Sequence, residues 1–154
     1  MLIKQLSNEQ QQIEFGLQLA KAWQKLHLKN FLIYLYGNLG AGKTTLIRGF
    51  LCGLGYEKHV KSPTYTLIET YEIEQQLILH VDLYRLHDPN ELINLGLLED
   101  IKNCSVCLVE WPEQGGELLP QADIACYIEL LGQGREIKMK SLNERGEQVL
   151  LQLN

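Results

Sequence analysis

The 154-residue chain has no apolar run approaching the roughly 18–20 residues that a bilayer-spanning helix needs. Its opening stretch, MLIKQLSNEQQQIEF, is too polar for a signal peptide, so the expected location is the cytoplasm and no membrane is expected among its partners. A basic surplus is also missing, with 14 Lys and Arg against 19 Asp and Glu and a net charge of −5. Proteins that bind nucleic acid by neutralising phosphates carry the opposite balance. Any service to nucleic acid is therefore expected to run through a protein partner. Cysteine is sparse, with Cys52, Cys104, Cys107 and Cys126 alone. Cys104 and Cys107 have C-x-x-C spacing, but there is no second such pair and no histidine nearby at ligand spacing. The pair enters an apolar run, SVCLVEW, that reads as a buried strand with reduced thiols rather than a zinc or redox centre. Internal repeats, low-complexity segments and linkers are absent. One domain over residues 1–154 is expected.

What is present alternates between helical and extended patterns. Ser7–Leu28 reads as a helix capped by Ser7 or Asn8, with Ile13, Leu17, Ala20 and Leu28 on an apolar stripe. Phe31–Tyr36 (FLIYLY) is apolar throughout, as a strand covered on both faces should be. Lys43 to about Leu54 reads as a helix stopped by Gly53 and Gly55. After a polar loop at Tyr56–Pro63, Thr64–Ile73 and Leu77–Tyr84 form a strand pair joined by the short Glu74–Gln76 connection. Asp88 and Pro89 open a helical stretch, ELINLGLLEDI. Ser105–Trp111 is a strand and Pro112–Pro120 a loop. Asp123–Leu131 and Arg135–Leu142 are late strands joined by Gly132–Gly134, and Glu147–Leu153 a last short helix. The predicted architecture is α/β: a P-loop NTPase-like central mixed sheet, partly parallel and partly antiparallel, flanked by helices.

Between the first apolar strand and its helix lies Gly37-Asn38-Leu39-Gly40-Ala41-Gly42-Lys43-Thr44, a full match to G-x-x-x-x-G-K-[ST]. Phosphates carry dense negative charge, and a loop that wraps them must turn its N–H groups inward. Glycines permit the backbone angles and the close approach. The helix that follows adds its N-terminal N–H groups and positive dipole end. Lys43 can reach the β- and γ-phosphate oxygens, and the Thr44 hydroxyl can ligate Mg²⁺. No N-K-x-D stretch for guanine is present, which points to ATP as the nucleotide.

Such a loop needs a carboxylate at the end of an apolar strand. Two candidates exist, Asp82 after Leu77-Ile-Leu-His-Val and Glu110 after Val106-Cys-Leu-Val. Both sit where ligands collect in open α/β sheets. One acid can complete the metal site with Thr44 while the other orients or deprotonates water; the pattern leaves the assignment open. His80, two residues before Asp82, shares its side of the strand and reads as a supporting residue, because Mg²⁺ prefers oxygen ligands. His27, His59 and His87 form no arrangement of their own. Ser62-Pro-Thr64 is either a rigid turn or a loop whose Thr64 senses the γ-phosphate or the attacking water. Trp111 either packs in the core or covers a nucleotide or partner.

Together, YLYGNLGAGKTTLIRG (34–49), VKSPTYTLIETY (60–71), HVDLYRLHDPNEL (80–92), LGLLED (95–100) and LVEWPEQG (108–115) resemble the TsaE family, also called YjeE, of P-loop ATPases. GREIKMK (134–140) extends the likeness more weakly. The resemblance implies a small α/β domain that binds ATP with Mg²⁺ and hydrolyses it slowly on its own. It implies support for N6-threonylcarbamoyladenosine formation at position 37 of tRNAs that read codons beginning with A. The partner would be the TsaD–TsaB complex, reset between catalytic cycles by ATP binding and hydrolysis, with tRNA contacted indirectly. By the same resemblance, Gly40 to Thr45 bind phosphate, so Thr45 joins the loop, and Thr44 with Glu110 hold Mg²⁺. Asp82 matches an important acid, Thr64 a switch-like threonine and Trp111 the tryptophan beside the acid. Gln12 and Arg135 are weaker matches to adenosine contacts. Lys43, Asp82, Glu110 and Thr64 are the catalytic candidates, with Asp82 also a candidate metal ligand.

Two other functions compete. A small-molecule kinase of this size would use clustered arginines on a closing lid, whereas Arg48, Arg85, Arg135 and Arg145 are scattered. A nucleotide sensor without hydrolysis would need fewer acids than Asp82 and Glu110 supply.

Overall fold

A computed structural model describes all 154 residues. Its centre is the apolar strand β2 (Phe31–Tyr36). Phe31, Ile33 and Leu35 enter one core, while Leu32 and Tyr34 enter the other. A strand apolar on both faces has to be covered on both, and it is. It pairs in parallel with β5 (Val106–Glu110) on one side and β6 (Ile124–Leu131) on the other, and β5 pairs in parallel with β4 (Gln76–Asp82). Antiparallel neighbours finish both edges: β3 (Ile68–Ile73) on β4, then β7 (Gly134–Ser141) on β6 with β1 (Leu2–Leu6) outermost. The seven strands run β1-β7-β6-β2-β5-β4-β3. The expected mixed sheet flanked by helices is the observed fold.

Helices α1 (Glu9–Lys25), α2 (Lys43–Gly53) and α5 (Glu144–Leu151) cover one face through Phe15, Leu19, Trp23, Phe50, Val149 and Leu150. The other face is closed by α3 (Glu91–Asn94), α4 (Leu97–Asn103) and a 3₁₀ helix at Pro112–Leu118, with Leu92, Leu97 and Ile101 buried there. Cys104, Cys107 and Cys126 are buried and unpaired, and the Cys104 thiol donates to the Ile101 carbonyl. Burial lifts the Cys104 thiol to about 11 and Cys107 well above the usual range.

Several elements differ from the sequence expectation for local reasons. Asn8 alone caps α1, accepting from the Gln11 N–H at 2.9 Å, while Gln11 reaches back to the Ser7 N–H at 2.8 Å. The strand expected from Thr64 begins only at Ile68, because Leu67 takes a left-handed backbone (φ 66°) and donates to the Pro63 carbonyl. The helix expected over ELINLGLLEDI is two short helices, broken where Gly96 turns left-handed. The stretch expected as a loop after Trp111 coils into 3₁₀ turns. The last helix starts at Glu144, capped by Asn143, rather than at Glu147.

The contact that places the phosphate loop is between α1 and α2. A Cβ built on Gly49 would lie 2.2 Å from the Ile13 carbonyl oxygen, and one on Gly16 would lie 2.3 Å from that of Leu46. The helices touch backbone to backbone, so neither position has room for a methyl group. Substituting Gly49→Ala should destabilise the fold by about 1–3 kcal/mol or more. Urea unfolding would measure this, and a midpoint equal to wild type would show that the helices part at no cost.

Candidate active site

Parallel pairing decides where the functional side chains meet. β2, β5 and β4 are consecutive neighbours running the same way, so their C-terminal ends share one edge of the sheet. Glu110 is in register with Leu35 on one side and Asp82 on the other. Two strand-end carboxylates therefore stand side by side, next to the loop that leaves β2. Both are nearly inaccessible, at 3% exposure each. An open cleft of about 570 Å³ lies above them. It is lined by Leu39, Gly40, Gly42, Lys43, Thr44 and Thr45 from the loop and α2, by Thr64, Asp82, Glu110 and Trp111, and by Gln12 and Arg135. Gly37, Asn38 and Ala41 line a separate shallow groove with Tyr36 and Tyr127.

Lys43 is buried and donates to the carbonyls of Gly37, at 2.5 Å, and Asn38, at 3.1 Å. Its ammonium also lies 4.3 Å from the centre of the Trp111 ring. Desolvation draws the Lys43 pKa below the ordinary lysine value, against the opposing pull of Glu110, then Asp82 and Glu113. Trp111 reaches this position through a left-handed backbone (φ 56°, ψ 49°) that turns the chain sharply as β5 ends. A bulky residue held there costs roughly 1–3 kcal/mol, strain of a kind that gathers at functional sites. Tyr84 also packs against Trp111, with ring centres 5.0 Å apart.

The two acids have different company. Glu110 Oε1 accepts from the Thr44 hydroxyl at 2.7 Å and lies 3.0 Å from His80 Nε2. His80 is wholly buried, so it supports Glu110 from beneath the cleft. Asp82 Oδ2 accepts from the hydroxyls of Ser62, at 3.1 Å, and Thr64, at 3.0 Å, and those two hydroxyls are 2.8 Å apart. Its other oxygen accepts from the Tyr84 N–H. Neither acid pairs with a lysine or arginine, which leaves two adjacent buried carboxylates short of positive charge. Thr44, Glu110 and Asp82 supply oxygen donors only, which suits a hard cation such as Mg²⁺. No cluster of three His, Cys, Asp or Glu side chains forms a closed metal cage. Most of that cation's coordination would thus come from phosphate and water, as Mg²⁺ commonly arranges.

Gln12 and Arg135 both touch the loop itself. The Gln12 amide donates to the Gly42 carbonyl at 2.9 Å, and a Cβ on Gly42 would strike it. Arg135 Nε donates to the Ala41 carbonyl at 2.9 Å. Four further cleft residues, Glu9, Ser62, Tyr84 and Arg85, were not singled out as site residues from the sequence. Ser62 had a signal in its place beside Pro63 and Thr64. Glu9, on α1, is brought there only by the helix packing.

A family model described as "Threonylcarbamoyl adenosine biosynthesis protein TsaE" matches residues 6–138. The tRNA threonylcarbamoyladenosine biosynthesis protein TsaE of Haemophilus influenzae is 43% identical over 150 residues, covering 97% of this chain and 95% of the relative. The protein of the same name from Bacillus subtilis is 40% identical over 124 residues, covering 80% and 77% respectively. Among solved structures, the crystal structure of Bacillus subtilis YdiB superposes with a TM-score of 0.82 at 31% identity, covering 99% of this chain and 93% of that one. No helix of the chain is long and apolar enough to cross a membrane.

Two measurements follow from the site's geometry. Trp23 is sealed in the core, at 1% exposure, whereas Trp111 is half-buried beside Lys43. Nucleotide titration should therefore change tryptophan emission, and Trp111→Phe should abolish the change; a response that survives the substitution would place the reporter elsewhere. The lowered Lys43 pKa carries a sign. Below its folded-state pKa the lysine is charged and can hold phosphate. ADP affinity, read by calorimetry, should fall as pH rises through a range that begins below 10.5. The unfolded chain keeps that proton more tightly, so the same deprotonation raises rather than lowers this group's contribution to folding stability.

Proposed function

This chain belongs to the TsaE family of threonylcarbamoyl adenosine biosynthesis proteins, and from that membership we propose that it is a Mg²⁺-dependent ATPase serving the formation of N6-threonylcarbamoyladenosine in tRNA. The product would be the modified adenosine at position 37 of tRNAs that read codons beginning with A. The observation that carries the reading is the meeting of Lys43 and Thr44 with Asp82 and Glu110 in one cleft at the strand ends.

In this reading, ATP lays its phosphates along Gly40–Thr45, and the positive end of α2 faces them. Lys43 exchanges its bonds to the Gly37 and Asn38 carbonyls for bonds to the β- and γ-phosphates. Thr44 and Glu110 would hold Mg²⁺, with Asp82 beside them. When bound, the ion neutralises charge on the phosphates and favours departure of the γ-phosphoryl group. Asp82, already the acceptor of the Thr64 and Ser62 hydroxyls, orients the attacking water. His80 keeps Glu110 facing Thr44. Gln12 and Arg135 brace the loop through the Gly42 and Ala41 carbonyls, and on the family resemblance they would contact the adenosine part.

The immediate partner is protein. We assign it as the TsaD–TsaB complex, on the family resemblance and on an acidic chain ill-suited to gripping tRNA directly. ATP binding and hydrolysis would reset that complex between its catalytic cycles.

Three experiments test this. Lys43→Ala should reduce ATP affinity at least roughly hundredfold, as expected for loss of a buried charge-assisted contact; unchanged calorimetric affinity would remove the loop from the site. Asp82→Asn should leave ATP binding near wild type and slow hydrolysis roughly 10²–10⁴-fold, and equal hydrolysis rates would take Asp82 out of water activation. Co-elution with TsaD–TsaB should depend on ATP, and an absence of association with any nucleotide would defeat the partner assignment.

A further inference from the structure

The chain has four arginines, and three are tied to protein acceptors. Arg48 pairs with Glu9 at 2.6 Å, Arg135 donates to the Ala41 carbonyl, and Arg145 lies 3.6 Å from Asp123 and donates to the Lys29 carbonyl. Arg85 alone has no carboxylate or carbonyl partner. It lines the same cleft as Lys43, Asp82 and Glu110. Its guanidinium rests over the ring of Tyr65, 4.4 Å from the ring centre, and donates to the Tyr65 hydroxyl at 3.3 Å. Tyr65 is itself 83% exposed, so this stacking is made in water, where such contacts are weak, about 0.5–1 kcal/mol. A cation held by a weak contact at the lip of a phosphate-binding cleft is available to a stronger ligand.

Chain geometry favours that ligand. Arg85 follows Asp82 by three residues, on the turn just past the end of β4, and the Tyr84 N–H in that turn is fixed to Asp82. Tyr65 directly follows Thr64, whose hydroxyl is also on Asp82. The arginine and its resting place are thus both anchored through the acid assigned above to water activation. When the γ-phosphoryl group transfers, negative charge on its oxygens must be met, and a guanidinium does so with paired N–H donors. Lys43 is the other cleft cation placed for this, since Arg135 is already committed to the loop carbonyls.

We propose that Arg85 is a catalytic residue, an arginine supplied from within the chain that leaves Tyr65 to contact the γ-phosphoryl oxygens of ATP during hydrolysis. The step is ordinary hydrolysis: water attacks the γ-phosphorus, the bond to the β–γ bridging oxygen breaks, and ADP, phosphate and a proton are released. No other reactant is needed. The inference rests on the ATPase reading above and adds a named group to it.

The test uses the full chain with Arg85→Ala, Arg85→Lys and Tyr65→Ala. Arg85 is exposed, so folding is not at stake, and circular dichroism would verify that. Arg85→Ala should slow single-turnover hydrolysis roughly hundredfold or more, within the range arginine contacts supply. ADP affinity should stay within about threefold, while affinity for ADP with aluminium fluoride, a mimic of the transferring group, should fall in parallel with the rate. Arg85→Lys should recover only part, because an ammonium lacks the paired donors. Tyr65→Ala removes the resting contact and should leave the rate unchanged or raised. Wild-type hydrolysis by Arg85→Ala, or equal losses of ADP and fluoride-complex affinity, would overturn the assignment while leaving the ATPase reading intact. A wild-type chain that binds ATP but releases no phosphate, alone or with TsaD–TsaB, would sink both.

Discussion

A carboxylate taken out of water must find compensation, and the arrangement of the cleft follows from that demand at Glu110. The residue ends the strand beside β2, in the middle of the sheet, where solvent is excluded. Its compensation comes from three directions: the Thr44 hydroxyl on α2, the His80 ring on β4, and the field of the Lys43 ammonium. Each partner belongs to a different element, so the acid works as a tie between them. The same demand explains why the ammonium is retained inside the protein despite desolvation. Burial pushes it towards the neutral form, and the neighbouring acids pull it back. Two buried acids face one buried cation, and in the reading proposed here the Mg²⁺ that accompanies ATP would set its positive charge beside them.

The parts legible in the sequence were those whose chemistry is local. The glycine-rich loop is written in eight consecutive residues, Gly37–Thr44, because a loop of that kind acts through its backbone. β2 and β5 were legible as unbroken apolar runs, and Asp82 and Glu110 because each terminates one. β1 went unread: in Leu2-Ile-Lys-Gln-Leu only Leu2 is buried, and an outer strand half in water need not look like one. Ser62 and Arg85 acquire their meaning from partners 20 residues away, through pairings that only the topology creates, whereas His80 was legible as a supporting residue and only its partner, Glu110, was not. The left-handed turns at Leu67 and Trp111 left no trace at all, because bulky side chains there run against local preference. They are the places where tertiary structure overrules the chain's own inclination. One of them holds the indole over Lys43, and the other follows the loop that carries Thr64.

On the proposed reading, the form of the cleft would make a small domain slow alone and dependent on company. Its walls come from loops at the rim, the Ser62–Leu67 segment and the turn at Tyr84–Arg85, rather than from a second domain closing over the nucleotide. Tyr65 and Leu39 stand exposed at that rim, at 83% and 64%. In the reading proposed here, a protein partner that covered them would exclude water from the cleft, and the electrostatic contacts inside would strengthen accordingly.

The backbone contact between α1 and α2 has a mechanical meaning. Two helices separated by side chains can slide, since side chains change rotamer. Two helices that meet through Gly16 and Gly49 have nothing compliant between them. Gln12, one turn before Gly16, is bonded to the carbonyl of Gly42, the last loop residue before α2. A push on the solvent face of α1 is therefore delivered undamped to the point where the loop becomes helix. The pair behaves as a stiff lever whose short arm ends at Gly42.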